Sequence, residues 1–395
     1  MSWERYKLGD LYAVHNGLSK GRQYFGSGYG FLSFSTVFNN YFIPDELSDF
    51  VRSTEKEQKN YSIRRGDVFV TRTSETSDEL GMSCVALKNY PHATYNGFTK
   101  RLRPITDKVL PEYIGYYMRM PSFRRKFMAF STMTTRASLK NEDLLGLEVE
   151  LPNYDKQTSI ANVLMTYDDL IENNQKQIKL LEEVAQRLYK EWFVDLHFPG
   201  YENVKIVDSI PEGWNIRKLA DVADIIMGQS PTSDTFNLNR NGLPFHQGVG
   251  SYGNRYVKNK VYTTSYTRIA NADSILFSVR APVGRLNVTK NKIVIGRGLA
   301  AFNQKQGYQN YLFYMLKEHY FKDDLIGNGS IFSSITKNEL MNQKFIIPDT
   351  KTMLAYDNIA KIIDKKIDNL DCQIDLISEA RNRLLPKLMS GEIEV

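Results

Sequence analysis

The chain has 395 residues, too many for one ordinary core and suited to two domains. A hydrophobic content of 42% excludes a disordered tail, and no apolar run approaches the ~20 residues of a membrane span. The net charge of +6 admits nucleic acid as a partner without requiring it, while the charged start MSWERYKLGD and two distant cysteines, Cys84 and Cys372, lead us to expect a reduced, cytoplasmic protein.

In chain order, the first 151 residues mix short β-rich runs such as Asp67–Thr71 with a helical stretch, Pro111–Phe130, separated by loops rich in Gly, Ser, Asn and Arg. After Leu151-Pro152 the texture changes. Ile160, Leu164, Tyr167, Ile171, Ile178, Leu181, Ala185, Leu188 and Trp192 alternate spacings of four and three, with Asn174 at the missing step. This is a heptad seam and predicts a helix of about 30 residues, ~45 Å long. Pro199-Gly200 and Pro211-Glu212-Gly213 mark a non-helical linker. Strand-like Ser274–Val279 and Lys292–Ile295 and helical Gln309–Lys322 follow. A second seam then runs Ala360, Ile363, Ile367, Leu370, Ile374, Ile377, Arg381, Leu384, Leu388, with Pro386 expected to kink or stop it.

The two halves repeat. Trp3, Lys7, Leu8, Asp10, Gly17 and Ser19 match Trp214, Lys218, Leu219, Asp221, Gly228 and Ser230 at one offset, 211. Arg65-Gly66-Asp67-Val68 resembles Asn271-Ala272-Asp273-Ser274, and each precedes an apolar stretch ending near an arginine, Arg72 or Arg280. Tyr113-Ile114 matches Tyr311-Leu312, and Ser138, Leu139, Leu144, Leu151 and Pro152 match Ser334, Ile335, Leu340, Ile347 and Pro348. A tandem duplication explains this constant order. The expected fold is α+β: two similar domains, 1–152 and 214–348, separated by two long antiparallel helices, 153–195 and 349–395, that form a coiled coil, with 196–213 as linker and an internal pseudo-two-fold. The seam residues expected in that coiled coil are Ile160, Leu164, Ile171, Asn174, Ile178, Leu181, Leu188, Ile363, Ile367, Leu370, Ile374, Ile377 and Leu384. Asn174 is expected to fix register at some cost in stability.

Charge separates these parts. Residues 1–151 carry net +4 and 201–347 net +7, while 152–200 and 348–395 carry −3 and −2. Basic globular modules beside acidic helices fit phosphate contacts at two places and disfavour a basic-zipper protein. Catalytic motifs are weak. Pro44-Asp45 with Glu57-Gln58-Lys59, and Pro348-Asp349 with Asp364-Lys365-Lys366, match a loose nuclease pattern that a highly charged chain meets by chance. The sequence Gly248-Val249-Gly250-Ser251-Tyr252-Gly253 has the glycines of a dinucleotide loop but no helix start after it. The five histidines and two cysteines show no metal-ligand spacing.

Taken together, the order of parts resembles the specificity (S) subunit family of type I restriction–modification systems. The resemblance rests on Gln157-Thr158-Ser159-Ile160-Ala161 opening a long helix that ends Leu188-Tyr189-Lys190-Glu191-Trp192-Phe193-Val194-Asp195. Ile210-Pro211-Glu212-Gly213-Trp214 and Gly228-Gln229-Ser230-Pro231 then begin the second domain, and Leu384-Leu385-Pro386-Lys387-Leu388-Met389-Ser390-Gly391-Glu392-Ile393 closes the second helix. Lys156 stands where the family often has Glu, and the second helix lacks the matching Gln, with Tyr356 near that place. The resemblance implies a non-catalytic DNA-binding subunit whose two target-recognition domains each read half of a split double-stranded target. It implies two methyltransferase subunits that methylate adenine, and restriction/translocase subunits; S-adenosylmethionine, ATP and Mg²⁺ belong to those partners, with no cofactor in this chain. The helices would act as a ruler between half-sites.

Residues that suit groove and phosphate contacts are Lys20, Arg22, Tyr24, Arg72, Thr73, Ser74, Lys100, Arg101, Thr134, Thr135, Arg136 and Lys140 in the first half. The second half offers Gln229, Ser230, Thr232, Asn254, Arg255, Arg280, Arg297, Ser330, Ser333 and Lys337. Arg72 and Arg280 stand out because both copies place an arginine after the equivalent strand. The alternatives are a stand-alone DNA-binding regulator and a Mg²⁺-dependent nuclease using Glu57 and Lys59.

Overall fold

The computed structural model of the chain describes residues 3–74, 80–129, 137–320 and 334–395. It divides into two compact units: Met1–Leu170 with Ile377–Val395, and Ile171–Leu376. Four helices organise them: α1 (Pro111–Tyr117), α2 (Tyr154–Phe193), α3 (Gln309–Tyr320) and α4 (Thr350–Ser390). The division falls inside α2 and α4, so each unit holds one globular half and a length of both long helices.

In the first unit β1 (Tyr12–Asn16), β2 (Val68–Thr71), β3 (Ser83–Val85) and β4 (Thr99–Pro104) form an antiparallel sheet of order β1-β4-β2-β3. Every residue of β2 is buried, which explains its unbroken apolar reading. Val68 and Val70 face one cluster with Tyr113, Ile114 and Tyr116 of α1. Phe69 turns the other way, onto Leu32, Val37, Cys84 and Tyr95. The helix expected over Pro111–Phe130 is two helices, because Pro121 has no N–H to give a helix interior and opens Pro121–Ala129 instead.

In the second unit β5 (Ala223–Met227), β6 (Ile275–Ser278), β7 (Leu286–Val288) and β8 (Leu299–Gln304) repeat that order, β5-β8-β6-β7. A two-stranded ribbon repeats as well: Glu4–Lys7 with Glu148–Leu151, and Asn215–Lys218 with Lys344–Ile347. Register fixes the equivalences. Leu102 pairs with Val14 and Val68; Phe302 pairs with Ile225 and Ile275. Val68 therefore corresponds to Ile275, and the buried Asp67 to the buried Ser274, one place from the sequence match with Asp273.

That single step corrects the reading of the two arginines. Arg72 N–H donates to the Phe98 carbonyl at 3.0 Å, and the Arg72 carbonyl accepts from Leu139 N–H at 2.9 Å. Val279 makes the same two bonds, to Gly298 at 2.9 Å and from Ile335 at 3.0 Å. Arg72 thus corresponds to Val279, and Arg280 lies one residue further on. Successive side chains of an extended chain point oppositely, so the two arginines do not share a role. Arg72 is half-buried; Arg280 is exposed.

Outside the shared sheet the units differ. Among the described residues, the first also has Phe25–Leu32, Asp49–Val51 and Thr94–Tyr95 in one sheet, and Thr73–Ser74 paired with Ala137–Ser138. Among the described residues, the second has Phe236–Asn237, Leu243–His246, Tyr262–Thr263, Ile269–Ala270 and Ile293–Ile295 in one sheet, and Ile206–Val207 paired with Ile210–Pro211.

The long helices pair antiparallel within each unit. In the first, Lys156 contacts the Val395 carbonyl at 2.8 Å, and Arg381 pairs with Asp168. In the second, Asn174 Nδ2 donates to Gln373 Oε1 at 3.2 Å, and Tyr356 hydroxyl to the Ala185 carbonyl at 2.9 Å. Ile160 and Leu164 are buried with Leu385, Leu388 and Met389, with Leu384 half-buried. Ile178 is buried with Ile367, Leu370 and Ile374, flanked by half-buried Ile171, Leu181 and Ile363. Leu188 and Ile377 are half-buried, and Asn174 is buried in the seam.

Both helices exceed the expected length, at 40 and 41 residues. Asn153 and Asp349 cap them before the seams begin, accepting from Lys156 N–H at 2.9 Å and Thr352 N–H at 3.0 Å. Pro386 does not stop α4, because it is exposed while Leu385, Leu388 and Met389 around it are buried. The equal starts place Met353, not Tyr356, at the position of Gln157. Gln157 is buried; its amide donates to the Lys108 and Pro152 carbonyls and accepts from Leu110 N–H at 2.9 Å, fastening the start of α1. In the second unit Asp357 serves that end, accepting from Tyr311 N–H at 3.0 Å.

Candidate nucleic-acid interface

In the second unit, the loop Gly228–Pro231 leaves β5 and meets the loop Gly296–Gly298 that enters β8. Gln229 N–H donates to the Ile295 carbonyl, and Gly228 N–H to the Leu299 carbonyl, each at 2.9 Å. Ser230 is the hub: its hydroxyl donates to Gln247 Oε1 at 2.8 Å and accepts from Arg297 N–H at 3.2 Å. Only glycine fits at 228, since a Cβ there would lie 2.1 Å from the Gly296 carbonyl oxygen. Gln229, Thr232, Gln247 and Arg297 are exposed on this edge. Guanidinium and carboxamide groups are those that read guanine and adenine edges in a major groove. Gln247 escaped the sequence reading; its signal is a polar residue directly after the buried strand Leu243–His246.

The corresponding edge of the first unit has the same backbone. Leu18 N–H donates to the Tyr95 carbonyl at 2.8 Å, and a Cβ on Gly17 would lie 2.0 Å from the Asn96 carbonyl oxygen. Its dressing differs. Leu18, Ser19, Ser33 and Gly97 occupy the places of Gln229, Ser230, Gln247 and Arg297. Beside Gly97 stands Phe98, 58% exposed, and Tyr24, Phe25, Tyr29 and Phe50 are exposed as well. Phe25, Ser33, Phe50 and Asn96 line one shallow depression. Of these aromatics only Tyr24 is among the contacts expected from sequence. The glycine-interrupted run Phe25-Gly26-Ser27-Gly28-Tyr29-Gly30 signals the others, because small residues leave such rings uncovered. Lys20 holds this edge together: it pairs with Glu57 at 2.7 Å, donates to the Arg52 carbonyl at 2.7 Å and lies over the Tyr24 ring. Arg22 is exposed, and Tyr24 is exposed beside Lys20 and Arg52, whose cations lie over its ring.

Three expected DNA contacts are structural. Lys100 is buried and bonds to Asn141 Oδ1; burial and the neighbouring Arg72 push its ammonium below the ordinary lysine range. Arg101 is buried, donates to the Ser62 carbonyl at 2.7 Å and lies against Tyr95. Arg255 is 3% exposed, pairs with Asp364 at 2.7 Å and stacks on Phe313. The first two sit on β4, which is covered on both sides, and none of the three reaches a surface edge. Lys140, Asn254, Arg280 and Lys337 are exposed. Thr134, Thr135, Arg136, Ser330 and Ser333 lie outside the described residues, as do the side chains of Thr73 and Ser74.

The nuclease pattern is used otherwise. Glu57 caps its helix by accepting from Thr54 N–H at 2.7 Å, and Lys20 and the cap hold its carboxyl below the usual range although burial opposes this. Asp349 is the cap of α4, and Asp364 is bound to Arg255.

One α+β frame is thus built twice, with glycine-pinned edges that carry different side chains. The chain belongs to the family of the type I restriction modification DNA specificity domain, whose model matches residues 1–183 and 211–385. It is a DNA sequence-specificity subunit and not an enzyme. It is 29% identical to the provisionally named MjaX specificity subunit of a type I restriction enzyme from Methanocaldococcus jannaschii, covering 100% of this chain and 94% of that one. It is 21% identical to the type I restriction enzyme HindI specificity subunit of Haemophilus influenzae, covering 99% of both. Its fold is similar to the crystal structure of a type I restriction–modification S subunit from M. genitalium, with a TM-score of 0.54 and 15% identity over 98% of this chain and 96% of that one. Among the described residues, no helix is long and apolar enough to cross a membrane.

Proposed function

We propose that the chain reads a split double-stranded target in the cytoplasm, one half-site per unit. Gln229, Gln247 and Arg297 face the second half-site, and Arg22 with the exposed aromatics around Phe98 faces the first. Two methyltransferase subunits assemble on the chain and modify adenine, and restriction subunits join them. S-adenosylmethionine, ATP and Mg²⁺ are carried by those partners. The observation that carries this reading is one backbone frame presenting two chemically different edges, which suits two unlike recognition sequences. The basic excess of both globular halves, +4 and +7, supports phosphate contacts beside each edge.

The helix pair sets the unread gap in this reading. Removing one heptad from each helix shortens the pair by about 10 Å, about three base pairs. The test is co-expression with the cognate methyltransferase subunit and mapping of modified adenines. A split motif is expected, and a continuous one contradicts the proposal.

A further inference from the structure

The shared frame carries one more duplicated feature. Tyr116 of α1 donates its hydroxyl to Asp168 of α2 in the first unit. In the second unit Tyr314 of α3 donates to Asp364 of α4 at 2.9 Å. These are equivalent positions: Tyr314 follows Tyr116 at the offset of the Tyr113 and Tyr311 match, and Asp364 follows Asp168 at the offset that relates the starts of α2 and α4. Each carboxylate also holds one guanidinium, Arg381 on Asp168 and Arg255 on Asp364 at 2.7 Å.

The two arginines come from different places. Val85 N–H donates to the Tyr41 carbonyl at 2.9 Å, and Val288 N–H to the Arg255 carbonyl at 3.0 Å, so Tyr41 and Arg255 are equivalent. Arg381 of α4 corresponds in turn to Ala185 of α2, which is fully buried. In one unit the globular half supplies Arg255 and the helix an alanine. In the other the helix supplies Arg381 and the globular half Tyr41, over whose ring the Arg381 guanidinium lies. The triad has been kept while its cation changed sides. A fold that merely tolerated an aspartate at these positions would have no need to preserve all three groups by two routes, since apolar replacement of a buried ion pair such as Arg255–Asp364 is often neutral or better.

We propose that each Tyr–Asp–Arg triad is a positioning joint that fixes its recognition domain on the long helices and so sets which half-site spacings the complex accepts. This rests on the reading of a split target. The experiment uses the complex with its methyltransferase partner and DNA of the cognate gap or of a gap one base pair longer or shorter. Arg381→Ala is expected to reduce the preference for the cognate gap by roughly tenfold while leaving the bases read in each half unchanged. Adding Tyr41→Arg, which copies the arrangement of the second unit into the first, should restore that preference. The inference is overturned if Arg381→Ala lowers thermal stability without moving the gap preference, or if Tyr41→Arg restores nothing. Should Arg381→Ala fail to assemble, Arg381→Gln, which also removes the cation, takes its place, with the same two outcomes. Modification of a continuous target by the unaltered complex would instead overturn the split-target reading.

Discussion

The edges of the two units are built on the same hydrogen bonds yet share almost no chemistry. Glycine at 17 and 228 brings each loop against a carbonyl, and the neighbouring amides bond in register. On that common base one edge carries carboxamides and Arg297, and the other carries Phe25, Phe50 and Phe98. Frame and readout are therefore separable. Residues fixed by backbone closeness repeat, and residues facing solvent are free to diverge, which is what two dissimilar half-sites require.

The two units differ most in the burial of their joints. Asp364 and Arg255 have side chains 10% and 3% exposed, against 27% and 15% for Asp168 and Arg381. Asp364→Ala strands a buried guanidinium and should cost about 3–5 kcal/mol. Asp168→Ala leaves a wetter one and should cost clearly less. Urea unfolding of the two variants checks this, and equal losses would mean that burial does not distinguish the joints.

A smaller effect is expected from the pinning glycines. Gly17→Ala and Gly228→Ala each force a Cβ into a carbonyl oxygen and should destabilise by about 1–3 kcal/mol. Each should also impair recognition of its own half-site alone, read from methylation of targets mutated in one half. Impairment of both halves by either variant would argue against independent edges.

The smallest effect is one of pH. His246 occupies the place of Leu32 and is buried, bonded to Ser251 at 2.7 Å and Asn259 at 2.9 Å. Burial lowers its pKa from the ordinary 6.5. The unfolded chain therefore binds the proton more readily. The stability linked to His246 is complete above pH 6.5 and is lost as pH falls below it, by at most about 1.4 kcal/mol per pH unit. His246→Leu, borrowing the residue of the first unit, should flatten the acid side of the stability–pH curve. An unchanged curve would show that His246 takes no part.

Much of the frame was legible in the sequence because periodicity reports burial. The heptad seams, the duplication and the Gly17 and Gly228 match each follow from spacing. Register was not legible. The one-residue step that sets Arg72 beside Val279 depends on which strand pairs with which, and no local pattern records that. For the same reason Lys100 and Arg101 read as DNA contacts: a basic side chain looks the same whether its strand is at an edge or covered on both sides, and Arg255, chosen as a loop residue, looks solvated until Asp364 and Phe313 are placed against it. The Tyr116–Asp168 and Tyr314–Asp364 matches were present as identities, but acidic residues on a long helix read as solvated until a partner is placed against them.

The most direct test of separable frame and readout is adenine-methylation mapping with the complex carrying Arg297→Ala, beside one carrying Phe98→Ala. Arg297→Ala should relax the second half of the motif alone, with about 1–3 kcal/mol less discrimination at the base it reads, and Phe98→Ala should alter the first half alone. If either variant alters both halves together, or weakens methylation uniformly with no change in motif, the account is wrong.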